Sequence, residues 1–263
     1  MASVVAITNQ KGGVGKTTTA VNLAASLAVA EQRVLLIDID PQGNATSGVG
    51  HPPRSTSAGT YDVMVGRASV SEATLETDLP CLSVLPSSAD LAAVEVEFVD
   101  LDDRALRLKT AIDEVRDRYD VVIIDCPPSL GLLTLNALTA AHSVLVPMQC
   151  EYYALEGISH LMNTIERVRG SLNPSLYVHG VLLTMYDPRS NLANQVASEL
   201  RAHFHVYETV IPRNIRLAEA PSHGKPAILY DAGSKGSQGY LSLAREILDR
   251  PPQAAALDHA PAH

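Results

Sequence analysis

Gln10-Lys11-Gly12-Gly13-Val14-Gly15-Lys16-Thr17-Thr18 follows the apolar run Val4-Val5-Ala6-Ile7 and opens a helix-like run from Thr19 to Ala30. A strand, a glycine-rich turn and a helix in that order are the setting of a nucleotide phosphate loop. The glycines let backbone N–H groups approach phosphate oxygens, and the helix adds its positive N-terminal end. Lys16 is placed for the β- and γ-phosphates and the Thr17 hydroxyl for Mg2+. Gly12, Gly13, Val14, Gly15 and Thr18 complete the cradle. Gln10 stands where the pattern usually has its first glycine, and a second lysine, Lys11, precedes the turn. One nucleotide in one pocket needs only Lys16, so Lys11 raises the question of a second nucleotide.

Two further segments complete such a site. In Leu35-Leu36-Ile37-Asp38-Ile39-Asp40-Pro41-Gln42-Gly43-Asn44 an apolar strand ends in two acids. Ligands gather at the carboxyl ends of parallel strands. Beside a Mg2+–phosphate site, one acid can serve the metal's shell and the other the attacking water. The residues leave open which does which. In Val121-Val122-Ile123-Ile124-Asp125-Cys126-Pro127-Pro128, four apolar residues precede an acid. That is the Walker B form, in which Asp125 holds Mg2+ through water.

The rest of the chain fits one globular domain over 1–250. Apolar β-branched runs alternate with helical patterns, which predicts a doubly wound, mostly parallel sheet with helices on both faces, the α/β architecture of P-loop NTPases. Strands are expected at Val4–Thr8, Val34–Ile39, Leu82–Leu85, Val121–Asp125, Ser143–Pro147, Val178–Thr184 and Thr209–Ile211. Helices are expected at Thr17–Ala30, Ala89–Phe98, Asp102–Arg118, Leu130–Ala141, Leu155–Arg169, Leu192–His203 and Gln238–Arg250. Residues 41–66, rich in Gly, Ser, Thr and Pro, read as a connecting or switch loop. The Pro/Ala-rich tail 251–263 reads as disordered.

Composition removes several classes. No apolar run is long enough to span a bilayer, and the first strand starts too early to leave room for a leader. A cytoplasmic protein is expected. Cys81, Cys126 and Cys150 are widely spaced, which predicts reduced thiols rather than a disulfide or zinc framework. The net charge of −9 excludes a globally basic nucleic-acid binder. The charge is uneven: residues 1–159 balance at −10 and residues 160–250 at +2. Any surface for a polyanion is therefore expected in the last third. With no Trp and two Phe, base stacking is a poor mode of contact.

KGGVGKTT at 11–18, IDIDPQGNATSG at 37–48, IIDCPPSLG at 123–131, VPMQCEYYALEG at 146–157 and IPRNIRLAEAPSHGKP at 211–226 together resemble the ParA/Soj family of DNA-partitioning ATPases. These belong to the deviant Walker A group. The resemblance covers about residues 3–250. It implies that Lys11 is the signature lysine, which crosses a homodimer interface to the partner's nucleotide. Gly12 would be the glycine at a crowded dimer contact. Asp40 would orient the hydrolytic water beside the metal, and Asp125 would be the Walker B acid. Switch-like behaviour would fall on Asp40–Thr46 and Pro128–Gly131. Met185 and Pro212-Arg213-Asn214 resemble the strand-end loops that contact adenine.

The resemblance further implies ATP-dependent, sequence-independent binding of double-stranded DNA through Arg189 and Arg216, with Arg213 and Lys225 as helpers. It also implies stimulation by a ParB-type centromere-binding partner and residence on the nucleoid. A membrane-bound relative of the MinD type would need a C-terminal amphipathic helix, which the prolines at 251, 252 and 261 interrupt. A nitrogenase-type reductase would need cluster cysteines that Cys126 and Cys150 do not match. A soluble ATP-dependent metabolic enzyme of the same fold is the alternative from a different class.

Overall fold

The computed structural model describes residues 2–52, 57–151 and 154–249. Among these, one sheet is built from β1 Ser3–Ile7, β2 Val34–Asp38, β3 Leu75–Glu76, β4 Leu82–Leu85, β5 Val121–Asp125, β6 Ser143–Gln149, β7 Tyr177–Tyr186 and β8 Ile211–Pro212. The helices are α1 Lys16–Val29, α2 Asn44–Gly48, α3 Thr60–Met64, α4 Val70–Ala73, α5 Val94–Glu97, α6 Arg107–Asp113, α7 Leu132–Ala140, α8 Ala154–Ser171, α9 Asn191–His203, α10 Ile215–Glu219, α11 Ala227–Tyr230 and α12 Lys235–Asp249. The strand order is β3-β4-β2-β5-β1-β6-β7-β8. Only the short β3 runs antiparallel to its neighbour.

The continuous apolar runs of β1, β2 and β5 follow from burial on both faces. Side chains alternate between two cores. Val4, Ala6, Leu35, Ile37, Val122 and Ile124 enter one, with Leu138, Leu161 and Ile165 from α7 and α8. Val5, Ile7, Val34, Leu36, Val121 and Ile123 enter the other, with Leu23 and Leu27 from α1 and Leu243 from α12. A buried leucine contributes roughly 1.5–3 kcal/mol, so α1 is held firmly below the loop that precedes it. Thr19 adds a buried hydrogen bond to the Tyr240 hydroxyl on α12, 3.0 Å away.

The structure departs from the sequence reading between the long elements. Residues 41–66 hold two short helices, α2 and α3, rather than loop alone. Thr60 at the start of α3 donates to the carbonyl oxygens of Asp38 at 2.9 Å and Pro86 at 3.1 Å, so tertiary bonds make helices that no periodicity announces. The helix expected over Ala89–Phe98 is a 3-10 turn followed by α5. That expected over Asp102–Arg118 shortens to α6 and a 3-10 turn. The tail at 251–263 lies outside the described residues, as does Arg250 at the expected end of the last helix.

No helix among the described residues is long and apolar enough to cross a membrane.

Candidate nucleotide site

Register brings the three motif segments together. Ile7 of β1 and Asp38 of β2 both pair with Asp125 of β5. The phosphate loop, the Asp38–Asp40 segment and the Walker B acid therefore leave adjacent strands at one carboxyl edge.

The loop is tied down at its flanks and open at its tip. Asn9 donates to the Pro147 carbonyl at 2.8 Å and accepts from the Lys11 N–H at 3.0 Å. Thr184 of β7 donates to the Val14 carbonyl at 2.7 Å. Gly13 and Gly15 have φ of +75° and +87°, which other residues adopt only under strain. Gly12 has no such φ, and a Cβ there would meet nothing within 4 Å of its own chain.

The two lysines are placed differently. Lys16 is buried, and its ammonium donates to the Lys11 carbonyl at 3.1 Å. Burial pulls its pKa below the usual lysine value, while Asp125, Cys126 and Asp40 oppose the shift. The Lys11 side chain is instead exposed and ion-paired with Glu151, just past β6.

The acids divide as sharply. Asp125 is fully buried, and neither carboxylate oxygen has a hydrogen-bond partner. Burial, then the neighbouring Asp38 and Asp40, push its pKa well above the carboxylate range against the pull of Thr17 and Lys16. An unpartnered buried carboxylate is costly and marks a place for a cation. With the Thr17 hydroxyl beside it, the donor set is all oxygen, and it suits Mg2+ held partly through water.

Asp38 has no such vacancy. Its Oδ2 accepts from the Thr46 N–H at 2.8 Å and the Thr46 hydroxyl at 2.7 Å, and its Oδ1 from the Asp40 N–H at 3.1 Å. Burial still raises its pKa to about 6 against those bonds. Asp40 commits Oδ1 to the Gln42 N–H at 2.9 Å, and its Oδ2 has no hydrogen-bond partner among the described residues. The two acids differ in geometry: both Asp38 oxygens are committed to backbone and side-chain bonds, and Asp40 keeps a free oxygen.

At the neighbouring edge, Thr184 pairs with Ile211 and Tyr186 with Pro212, leaving Met185 as an extra residue in a bulge with φ +48°. Bulges beside sites re-aim side chains. Met185 and Pro212-Arg213-Asn214 therefore flank Thr184, which touches the phosphate loop. Arg189 and Arg213 continue from the same edge. Arg189 is held by Asp187 through two contacts of 3.0 Å. Arg216 pairs with Glu219 at 2.8 Å and Asp231 at 3.2 Å. Arg213 and Lys225 are exposed.

Residues 2–178 match a family described as AAA domain. Over 251 residues the chain is 56% identical to the chromosome partitioning protein ParA of Caulobacter vibrioides, with 94% of each covered. The chain belongs to the ParA/Soj family of chromosome-partitioning proteins. It is equally, 56%, identical to the sporulation initiation inhibitor protein Soj of Bacillus subtilis, covering 94% of this chain and 98% of that one. Among solved structures, that of a Mycobacterium smegmatis protein described as cobyrinic acid a,c-diamide synthase, with bound ATP analog and magnesium, is 38% identical. Its TM-score is 0.84, with 94% of each chain covered.

Each ParA/Soj segment recognised in the sequence runs across or just beyond the carboxyl end of a parallel strand: β1, β2, β5, β6 or β8. Motif reading did not find Asn9, Thr46, Ser87, Glu151 or Thr184 as parts of the site. Their roles depend on partners distant in sequence, and only Thr46 and Glu151 lie within recognised segments.

Proposed function

We propose that this ATPase is a nucleotide-timed DNA-segregation switch. ATP with Mg2+ binds the loop at 11–18, with Lys16 on the β- and γ-phosphates, Thr17 and Asp125 on the metal, and Met185 with Pro212-Arg213-Asn214 around the adenine. Bound Mg2+ would neutralise charge on the phosphoryl oxygens. Asp40 orients a water whose oxygen bonds to the γ-phosphorus as the bond to ADP breaks, the displaced proton leaving with the phosphate. Two protomers close around two nucleotides, and each Lys11 reaches the other's phosphates, where an added cation stabilises the transferring group.

The observation that carries the reading is the contrast between the lysines. Lys16 is buried in its own loop, whereas Lys11 is exposed and held by Glu151 away from it. Gly12 supports the same reading, because its own chain leaves room for a side chain there, and a close partner would not. The dimer then presents Arg189, Arg216, Arg213 and Lys225 twice over to DNA phosphates, without base readout. A ParB-type partner stimulates hydrolysis and releases the dimer. The chain works in the cytoplasm on the nucleoid.

The test is Lys11→Ala. Partner-stimulated hydrolysis is expected to fall at least 100-fold while ATP affinity stays within a few-fold; unchanged stimulated turnover would refute the role in trans. The Mycobacterium smegmatis relative's description supplies a second reading, ATP-dependent modification of a small acid. The greater identity to partitioning proteins favours the first. Sedimentation with DNA, with and without ATP, separates them: DNA-independent behaviour in both states would favour the enzyme of small-molecule metabolism.

A further inference from the structure

Four buried residues from three chain segments close a ring around the backbone of Asp40. Asp38 Oδ1 accepts from the Asp40 N–H at 3.1 Å, and Asp38 Oδ2 accepts from the Thr46 hydroxyl at 2.7 Å. The same Thr46 oxygen accepts from the Ser87 N–H at 2.9 Å. The Ser87 hydroxyl returns to the start, donating to the Asp40 carbonyl. Asp38 is 0%, Thr46 3%, Asp40 7% and Ser87 8% exposed, so water offers little competition for these bonds. We propose that Thr46 and Ser87 are positioning residues for hydrolysis, setting Asp40 through this ring.

The chemistry of the ring is specific. A threonine hydroxyl has one proton and two lone pairs. At Thr46 the proton goes to Asp38 and a lone pair takes the Ser87 N–H, so the hydroxyl links the ends of β2 and β4. Serine can make both links, whereas valine, of the same shape, makes neither. Ser87 bonds Asp40 through its hydroxyl and Thr46 through its backbone, so Ser87→Ala opens only one link. The ring touches Asp40 at its N–H and its carbonyl, and leaves carboxylate Oδ2 free. It therefore acts on the direction of the side chain without occupying it. Among the described residues neither Thr46 nor Ser87 hydrogen-bonds to the phosphate loop, so a loosened ring should spare nucleotide affinity. Misplacing a catalytic group by about 1 Å costs roughly 100-fold in rate.

This inference rests on the assignment of Asp40 to the hydrolytic water, and the experiment separates the two. Steady-state ATP hydrolysis is measured for the full chain and for Asp40→Ala, Thr46→Val, Thr46→Ser and Ser87→Ala, each with its melting temperature. Thr46→Val is expected to lower kcat 10- to 100-fold with KM within twofold of the parent, Ser87→Ala to lower it several-fold, and Thr46→Ser to restore it to within twofold. A normal kcat in both Thr46→Val and Ser87→Ala, with Asp40→Ala inactive, overturns the ring alone. Normal hydrolysis in Asp40→Ala overturns the Asp40 assignment beneath it. A rise in KM matching the fall in kcat, or failure of Thr46→Ser to rescue, reduces the ring to a structural brace. If Thr46→Val does not fold, Ser87→Ala and Thr46→Ser decide the matter.

Discussion

The carboxyl ends of β1, β2 and β5 and the outer edge at β7 and β8 handle charge in opposite ways. At the inner site Asp125 is fully buried with two unpartnered oxygens, and Lys16 is buried with a single backbone acceptor. At the outer edge Arg189 and Arg216 lie in the open with partners of their own, Asp187 for one and Glu219 and Asp231 for the other. Unsatisfied charge in a dry place costs stability and persists where a ligand answers it. Paired charge in water costs little and contributes little. The inner site thus identifies itself from one chain, whereas the outer edge reveals its use only against a partner.

The largest test of that contrast is Asp125→Asn. It keeps the shape and removes the unanswered charge. Hydrolysis is expected to fall by roughly 100-fold or more. The free protein should melt higher, because desolvating a carboxyl that is ionised in the unfolded chain costs about 1–3 kcal/mol or more, and each kcal/mol moves Tm by about 2–4 °C in a chain near this size. Calorimetry of both proteins without nucleotide checks it. A lower Tm in the variant would mean that Asp125 has a structural partner, and the inner site would lose its mark.

The same contrast explains what the sequence makes legible. Lys16, Thr17 and Asp125 belong to short motifs with a fixed mechanism, and the central strands announce their burial as unbroken apolar runs. Asp38 and Asp40 are visible as a pair, and only the family resemblance separates them; the residue pattern does not, because the distinction lies in Thr46, eight residues on from Asp38, and the bond from Ser87 to Thr46 spans 41. The helices α2 and α3 leave no periodic trace, since bonds to Asp38 and Pro86 hold them. Glu151 lies within a recognised segment, yet its pairing with Lys11 spans 140 positions. The arginines are legible as charges, but their neutralising acids are a matter of rotamer and loop geometry.

A smaller effect is expected at the outer edge. Arg216→Ala should weaken ATP-dependent DNA binding several-fold and reduce the slope of log K against log salt by about 0.9 for each phosphate no longer neutralised. Asp187→Asn should act in reverse, freeing Arg189 and strengthening binding a few-fold at low salt. Fluorescence anisotropy across a salt series reads both. If neither changes affinity or slope, the pairs are ordinary surface bridges and DNA lies elsewhere.

The smallest effect separates the two regions by pH. At the outer edge Arg189 holds the Asp187 carboxyl down at about 2, so this pair does not change between pH 4 and 7. At the inner site burial raises Asp38 to about 6. A folded-state pKa above the unfolded value means that the folded protein binds the extra proton. The associated stability is present below about pH 4 and is lost as pH rises through 6. Burial lowers the pKa of His179, and this works the other way: the unfolded chain takes the proton first, so stability falls as pH drops below about 6.5. Asp38→Asn, melted without nucleotide at steps from pH 4.5 to 7, should therefore gain on the parent as pH rises, whereas Asp187→Asn should keep a constant offset. A constant offset in both variants would place Asp38 among the ordinary surface carboxylates and erase the electrostatic difference between the two regions.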